Sequence, residues 1–85
     1  MKKITIYSGN PCPYCAAAKA LLKSKNLEIE EFDIWKDPEK AKEMIKRTNG
    51  AKTIPQIFVG DHYIGGNEQL QDKNRSGELD KLLKS

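Results

Sequence analysis

Apolar and polar positions divide the chain into short segments with two different periods. Residues 3–7 alternate, with Ile4 and Ile6 on one side and Thr5 and Tyr7 on the other, which predicts a strand. Ser8-Gly9-Asn10-Pro11 interrupts it as a loop. From Pro13 the period becomes helical. Ala17, Ala18, Leu21 and Leu22 form an apolar stripe, with Lys19, Lys23 and Lys25 outside it or at its rim. Proline suits a first helical turn, where its missing N–H has no intrahelical partner anyway. Lys23 and Lys25 fall near the negative end of the helix dipole. Residues 28–34 predict a second strand, imperfectly alternating and acidic, as suits a sheet edge. Asp37-Pro38 opens a second helix, with Asp37 as N-cap and Pro38 at the first helical position. Ala41, Met44 and Ile45 give that helix an apolar face, and Asn49-Gly50 ends it.

Two apolar runs, Gln56-Ile57-Phe58-Val59 and His62-Tyr63-Ile64, are split by Gly60-Asp61 and read as a β-hairpin. Gly65-Gly66 closes it. Asn67 is the expected N-cap of a third helix from about Glu68 to Lys73, which Arg75-Ser76-Gly77 breaks. Leu79, Leu82 and Leu83 predict a short amphipathic helix closing over the sheet. The expected order is β-α-β-α-β-β-α. Its first half is a βαβ unit with parallel strands and a right-handed crossover. The fold class is therefore α/β, a mixed four-stranded sheet flanked by helices, and residues 1–85 are expected to form one domain.

Composition narrows the function. Fifteen basic and twelve acidic residues alternate along most of the chain and leave a net charge of only +3, so nucleic acid is not an expected partner. No apolar run approaches the roughly 20 residues of a membrane span. Met1-Lys2-Lys3 is basic, but no apolar signal core follows it, so a cytoplasmic protein is expected. The only two cysteines, Cys12 and Cys15, would close a tiny loop, which gains little stability in the chain-entropy model. A structural staple is thus a poor explanation for them, and redox use in a reducing compartment a better one.

The chemistry follows from where these cysteines fall. The thiolate, not the thiol, attacks disulfides. Cys12 stands where a strand hands over to a helix. Unpaired backbone N–H groups and the positive end of the helix dipole favour a charged sulfur there, so a lowered pKa is expected. Cys15, one turn further in, can reach back to Cys12 and is expected to be less exposed and less acidic, a resolving partner. A C-x-x-C between strand and helix of a βαβ unit reads as a thioredoxin-like redox motif. Half of a zinc site is the competing reading. A closed zinc site needs four ligands, and here there is no second cysteine pair and a single histidine, His62, so no metal is expected. His62 is assigned no role, and Trp35 is read as an aromatic packed at the surface.

Cys12-Pro13-Tyr14-Cys15 followed by Ala18-Lys19-Ala20-Leu21-Leu22 resembles the active-site segment of dithiol glutaredoxins of the short bacterial type. The resemblance runs on through Thr53-Ile54-Pro55, Gly65-Gly66 and Arg75-Ser76-Gly77-Glu78-Leu79, and covers nearly the whole chain. It implies a thioredoxin-like fold and glutathione-dependent thiol–disulfide exchange, with Cys12 attacking and Cys15 resolving. Glutathione is then a co-substrate, and no cofactor is permanently bound. The implied partners are glutathionylated or disulfide-containing proteins, and the implied state is a monomer. It further implies that Pro55 is cis and that Thr53 and Ile54 flank the site. The Ile54 backbone pairs with the cysteinyl unit of glutathione as an added strand would. Tyr14 flanks the glutathione sulfur, Lys42 meets the glycine carboxylate, and Gly66, Asn67, Glu68 and Gln69 hold the γ-glutamyl end.

Two positions depart from that family. Many members carry a lysine where this chain has Gly9, leaving Lys42 or Lys52 to supply the missing cation. Glu68-Gln69 stands where Asp-Asp or Ser-Asp is usual. Two further readings stay open: an electron donor recycled by thioredoxin reductase, and an iron–sulfur cluster carrier that holds its cluster between two subunits.

Overall fold

The computed structural model describes residues 3–84. Its elements run β1 (Ile4–Ser8), α1 (Pro13–Ser24), β2 (Ile29–Asp33), α2 (Pro38–Arg47), β3 (Gln56–Val59), β4 (His62–Gly65), α3 (Asn67–Ser76) and α4 (Glu78–Lys84). The elements come in the expected sequence, and the two helices predicted after the hairpin are both present, one more than the order β-α-β-α-β-β-α counts. Gly77 separates them in the left-handed conformation (φ 83°), which costs a residue without a Cβ nothing. The start of α3 also differs from expectation. Gly66, not Asn67, is the N-cap, because the Gln69 side chain reaches back to accept the Gly66 N–H at 2.9 Å. Asn67 is already helical, with its Oδ1 accepting from Gln71 Nε2. The start of α2 is as expected. Asp37 accepts the N–H groups of Glu39 and Lys40, and Pro38 occupies the first turn.

The strand order is β2-β1-β3-β4. β1 pairs parallel with β2 and antiparallel with β3, which forms the hairpin with β4. The acidic β2 lies at the edge, as its composition suggests. Alternation in the strands sends side chains to two faces. On one, Ile4, Ile6, Ile57, Val59 and Ile64 meet Ala18 and Leu22 of α1, Leu70 of α3, and Leu79 and Leu83 of α4. On the other, Tyr7 and Phe58 meet Met44 of α2, with Phe32, Ile34, Ile45 and Ile54 partly buried around them. The buried stripe of α1 is Cys15, Ala18 and Leu22, with Ala17 exposed. The i, i+3, i+7 spacing from Cys15 selects that face, and Ala17 lies a quarter-turn off it.

Register gathers the polar loops at one end of the sheet. Tyr7 pairs with Gln56, so the loop leaving β1 comes alongside the segment entering β3. Ile57 pairs with Gly65, so the exit of β4 joins them. Because β2 runs parallel to β1, its exit reaches the same end from the opposite side.

Candidate active site

Cys12 is the N-cap of α1, with extended backbone (φ −154°, ψ 101°). That conformation turns its side chain over the first helical turn, and the Cys15 N–H donates to its sulfur at 3.2 Å. A sulfur placed there accepts a donor that the helix would otherwise leave unpaired. Cys12 is half-buried, whereas Cys15 is 1% exposed and belongs to the buried face of the helix. The two sulfurs are in disulfide contact across a Cα–Cα distance of 5.2 Å. One sulfur is reachable from solvent and the other is reached through it.

On the β3 side, the loop that leads to Cys12 is flanked at the same end of the sheet by two others. Thr53 and Ile54 lead into Pro55, and the Ile54–Pro55 peptide is cis. Gln56, buried at 4% exposure, holds this segment. Its Nε2 donates to the Thr53 carbonyl at 3.0 Å and to Thr53 Oγ1 at 3.2 Å, while its Oε1 accepts from the Tyr63 hydroxyl. Tyr63 is fixed in turn by stacking on Phe58, with centroids 5.0 Å apart. Burial raises the Tyr63 pKa, which keeps its hydroxyl a donor. This relay is not a motif the sequence advertises, and it fixes the entrance to β3.

The second loop is the glycine pair. Gly65 adopts φ 118°, a region that disfavours any side chain. A Cβ on Gly66 would lie 3.3 Å from the Pro55 carbonyl oxygen, so glycine lets the two loops approach closely. Between them opens a cleft of about 280 Å³ lined by Tyr14, Thr53, Ile54, Pro55, Gly66, Asn67, Glu68 and Gln69. Eight residues predicted for the site thus line one cavity, with Cys12 and Cys15 bracketing Tyr14 in sequence. Tyr14 is 69% exposed, an aromatic face offered at the rim. Gln69 lines the cleft while its side-chain oxygen is spent on the Gly66 N–H.

Lys42 and Lys52 stand elsewhere. Lys42 is an exposed residue of α2 whose Nζ lies 3.7 Å from Glu39, and neither lysine lines the cleft. On the far side of Cys12, the exit of β2 carries Trp35, whose ring covers Gly9. Below it, buried Ser8 donates its hydroxyl to Glu31 at 2.5 Å, and Lys19 Nζ pairs with the same oxygen at 2.8 Å. These donors, Lys19 first, lower the Glu31 pKa. Neither the Ser8–Glu31–Lys19 cluster nor the Gly9–Trp35 contact has a sequence signature, because each joins different elements. The Gln69 contact had one that went unread: a glutamine three residues after Gly66, since glycine is also a favoured N-cap.

A half-buried sulfur on a helix N-cap, a buried partner sulfur in contact with it and a cis-proline wall define a thiol–disulfide oxidoreductase of the thioredoxin-like class. The glutaredoxin family profile matches residues 4–64. Glutaredoxin 3 of Escherichia coli strain K12 is 45% identical over 84 residues, which cover 99% of this chain and 100% of that protein. The solution structure of glutaredoxin from Brucella melitensis, 43% identical, superposes with a TM-score of 0.82 over 98% of this chain and 89% of that one. A buckwheat glutaredoxin–glutathione complex, 23% identical, shares the fold with a TM-score of 0.84 over 95% of this chain and 76% of its own. The chain belongs to the glutaredoxin family.

Proposed function

We propose that this protein reduces protein–glutathione mixed disulfides and protein disulfides, with glutathione as the electron donor. The observation that carries the reading is the cleft beside the cysteine pair. Its volume, about 280 Å³, is near the lower end of ligand pockets (about 300 Å³ and above), as suits a short peptide held partly exposed. The Ile54 backbone, in the bend that leads into β3, makes no hydrogen bond among the described residues and can pair with the peptide backbone as an added strand would. The N–H groups of the first turn of α3, with Asn67 and Glu68 beside them, face the γ-glutamyl end. A carboxylate is favoured at a helix N-terminus and an ammonium by Glu68.

The Cys12 thiolate, stabilised by the Cys15 N–H, attacks the glutathione sulfur of a protein–glutathione disulfide. A Cys12–glutathione disulfide forms and the protein leaves as thiolate. A second glutathione thiolate then attacks the bound glutathione sulfur. Oxidised glutathione departs and the Cys12 thiolate returns. With a protein disulfide, Cys12 attacks, Cys15 displaces the substrate, and two glutathiones reduce the resulting Cys12–Cys15 bond. Exchange of this kind proceeds through the thiolate and a mixed disulfide. The protein acts as a monomer in a reducing compartment such as the cytoplasm, where two thiols stay available between turnovers.

Turnover of a glutathione mixed disulfide tests the assignment. Cys12→Ser is expected to abolish activity and Cys15→Ser to retain much of it; equal loss in both would reject the division of roles. Glutathione titration of the reduced protein, followed by NMR, should shift Tyr14, Thr53, Ile54, Gly66, Asn67, Glu68 and Gln69. Shifts scattered away from the cleft would reject the groove. We assign Lys42 a distant charge contribution to the glycine carboxylate. Because it is exposed and outside the cleft lining, Lys42→Ala should raise KM by only about twofold, and high salt should erase the difference.

A further inference from the structure

Trp35 is 57% exposed, a large apolar side chain left outside both hydrophobic clusters. Its place is nonetheless specified. The Asp33 carboxylate accepts the Trp35 N–H at 2.9 Å and the Lys36 N–H at 3.2 Å, which fixes the turn after β2. The Ile34 N–H donates to the Ser8 carbonyl at 2.9 Å, tying that turn to the end of β1. The indole then lies flat on Gly9. A Cβ at position 9 would fall 2.6, 2.7 and 2.8 Å from Cδ2, Cε3 and Cε2, closer than real Cβ atoms come to any neighbour. Glycine at position 9 and the indole at position 35 are therefore a matched pair, since a side chain at 9 must expel the ring. Gly9 itself is buried beneath it.

What the ring holds is the lead into the nucleophile. Gly9, Asn10 and Pro11 are all that joins β1 to Cys12. Asn10 and Pro11 are exposed or rim positions, and no hydrogen bond among the described residues ends on either. α1 fixes Cys12 from one side, and on the other the indole braces the backbone of Gly9, three residues before it. Strand order puts this support on the flank opposite the cleft, because β1 lies between β2 and β3.

We propose that Trp35 is a positioning residue for Cys12: by clamping the Gly9 backbone it holds the loop in the conformation that presents the sulfur to the Cys15 N–H. The proposal rests on Cys12 being the attacking sulfur and is independent of glutathione. Loosening the clamp lets the N-cap torsions wander, lengthens the N–H to sulfur contact and weakens the preference for thiolate.

The test is the pH dependence of Cys12 alkylation by iodoacetamide in the reduced protein, read at peptide level by mass spectrometry. Trp35→Ala should move the midpoint upward by about half to one pH unit, a roughly three- to tenfold loss of thiolate below the midpoint. Trp35→Phe, which keeps a flat ring, should restore most of it. Gly9→Ala should reproduce the Trp35→Ala shift by expelling the ring, and should add almost nothing in a Trp35→Ala background, as coupled sites do. A Trp35→Ala profile that superimposes on wild type overturns the proposal, as do Gly9→Ala and Trp35→Ala shifts that add. Gly9→Ala and Trp35→Phe keep the test open should Trp35→Ala fold poorly. Because no glutathione is present, a wild-type Cys12 no more reactive than Cys15 would count against the assignment of the nucleophile, separately from the role of the indole.

Discussion

The two faces of the sheet are held by different physics. Toward α1, α3 and α4 the contact is aliphatic: isoleucines and valine from the strands against leucines and an alanine from the helices, most at or near zero exposure. Toward α2 the strands present rings. Tyr7 packs edge-on to Phe58 at 6.0 Å and tilted to Phe32 at 5.7 Å, and Met44 is the only fully buried side chain that the helix contributes. The remainder of α2 meets the rings with charge. Arg47 lies 3.9 Å over Phe58 and Lys40 lies 4.0 Å over Phe32, while the Tyr7 hydroxyl donates to Glu43 and accepts from Arg47 at 2.8 Å. Cations over aromatic faces and hydrogen bonds to charged groups are directional and weakened by exposure to water, whereas the drive to bury aliphatic surface has no preferred direction. The aliphatic face should therefore carry stability. The aromatic face, which also holds Gln56 and its link to Thr53, should carry the geometry of the cleft.

The largest expected effect comes from the aliphatic face. Leu22 is fully buried between α1 and the sheet, and Leu22→Ala should cost about 2–5 kcal/mol through lost burial and the cavity left behind. Against a total of about 5–15 kcal/mol, that is a large share of the stability of a small domain. Denaturant unfolding measures it. Below the melting transition the KM for a glutathione mixed disulfide should stay near wild type. A loss under about 1 kcal/mol would mean that the two faces contribute alike, contrary to the cavity expectation.

An intermediate effect is expected from the relay behind the cleft. Tyr63→Phe leaves Gln56 Oε1 without its donor, at a cost of about 1 kcal/mol, since Tyr63 is 39% exposed and water can partly replace it. The functional effect should be disproportionate: Gln56 becomes free to turn, Thr53 loses its anchor, and KM rises while the Cys12 alkylation profile stays put. Unchanged KM with the same stability loss would remove the aromatic face from the function of the cleft.

Much of this architecture is legible locally. Cys12 before Pro13, Asp37 before Pro38 and Gly60-Asp61 between apolar runs each fix an element boundary through contacts within a few residues. The lining of the cleft is legible through a resemblance whose motifs keep their order. What stays hidden is whatever depends on two elements meeting. Nothing in the sequence marks Arg47 and Lys40, yet both lie on rings contributed by strands. Gly9 reads as a loop glycine until Trp35 is seen above it. Ala17 looks as apolar as Ala18, and only the placement of Cys15 decides which of them turns inward. Lys42, carried over from the family, shows the converse: a motif position can match while its side chain pairs with a neighbour outside the cleft.

The smallest expected effect is a pH dependence that divides the faces. The hydrogen bond from Tyr7 is the main cause that holds the Glu43 carboxyl below its ordinary value of 4.5, with Lys40 and Arg47 assisting against burial. A carboxyl so lowered stabilises the fold fully above its unfolded value and progressively less as pH falls through the folded one. Burial, reinforced by the bond to Glu43, raises the Tyr7 phenol above 10.0; that contribution is complete below pH 10 and is lost as pH climbs through the folded value. Glu43→Gln should therefore flatten part of the acid limb of a stability–pH curve below about pH 4.5, leaving to Glu31 and Glu78, also lowered, the rest. The effect should be modest, because the Glu43 side chain is 39% exposed and solvent screens its pairing. Leu22→Ala should instead lower the whole curve with little change of slope, since Leu22 is apolar and fully buried in the aliphatic cluster and its truncation removes no charged partner. If the aliphatic variant altered the acid slope while Glu43→Gln did not, the charged contacts would belong to the wrong face of the sheet.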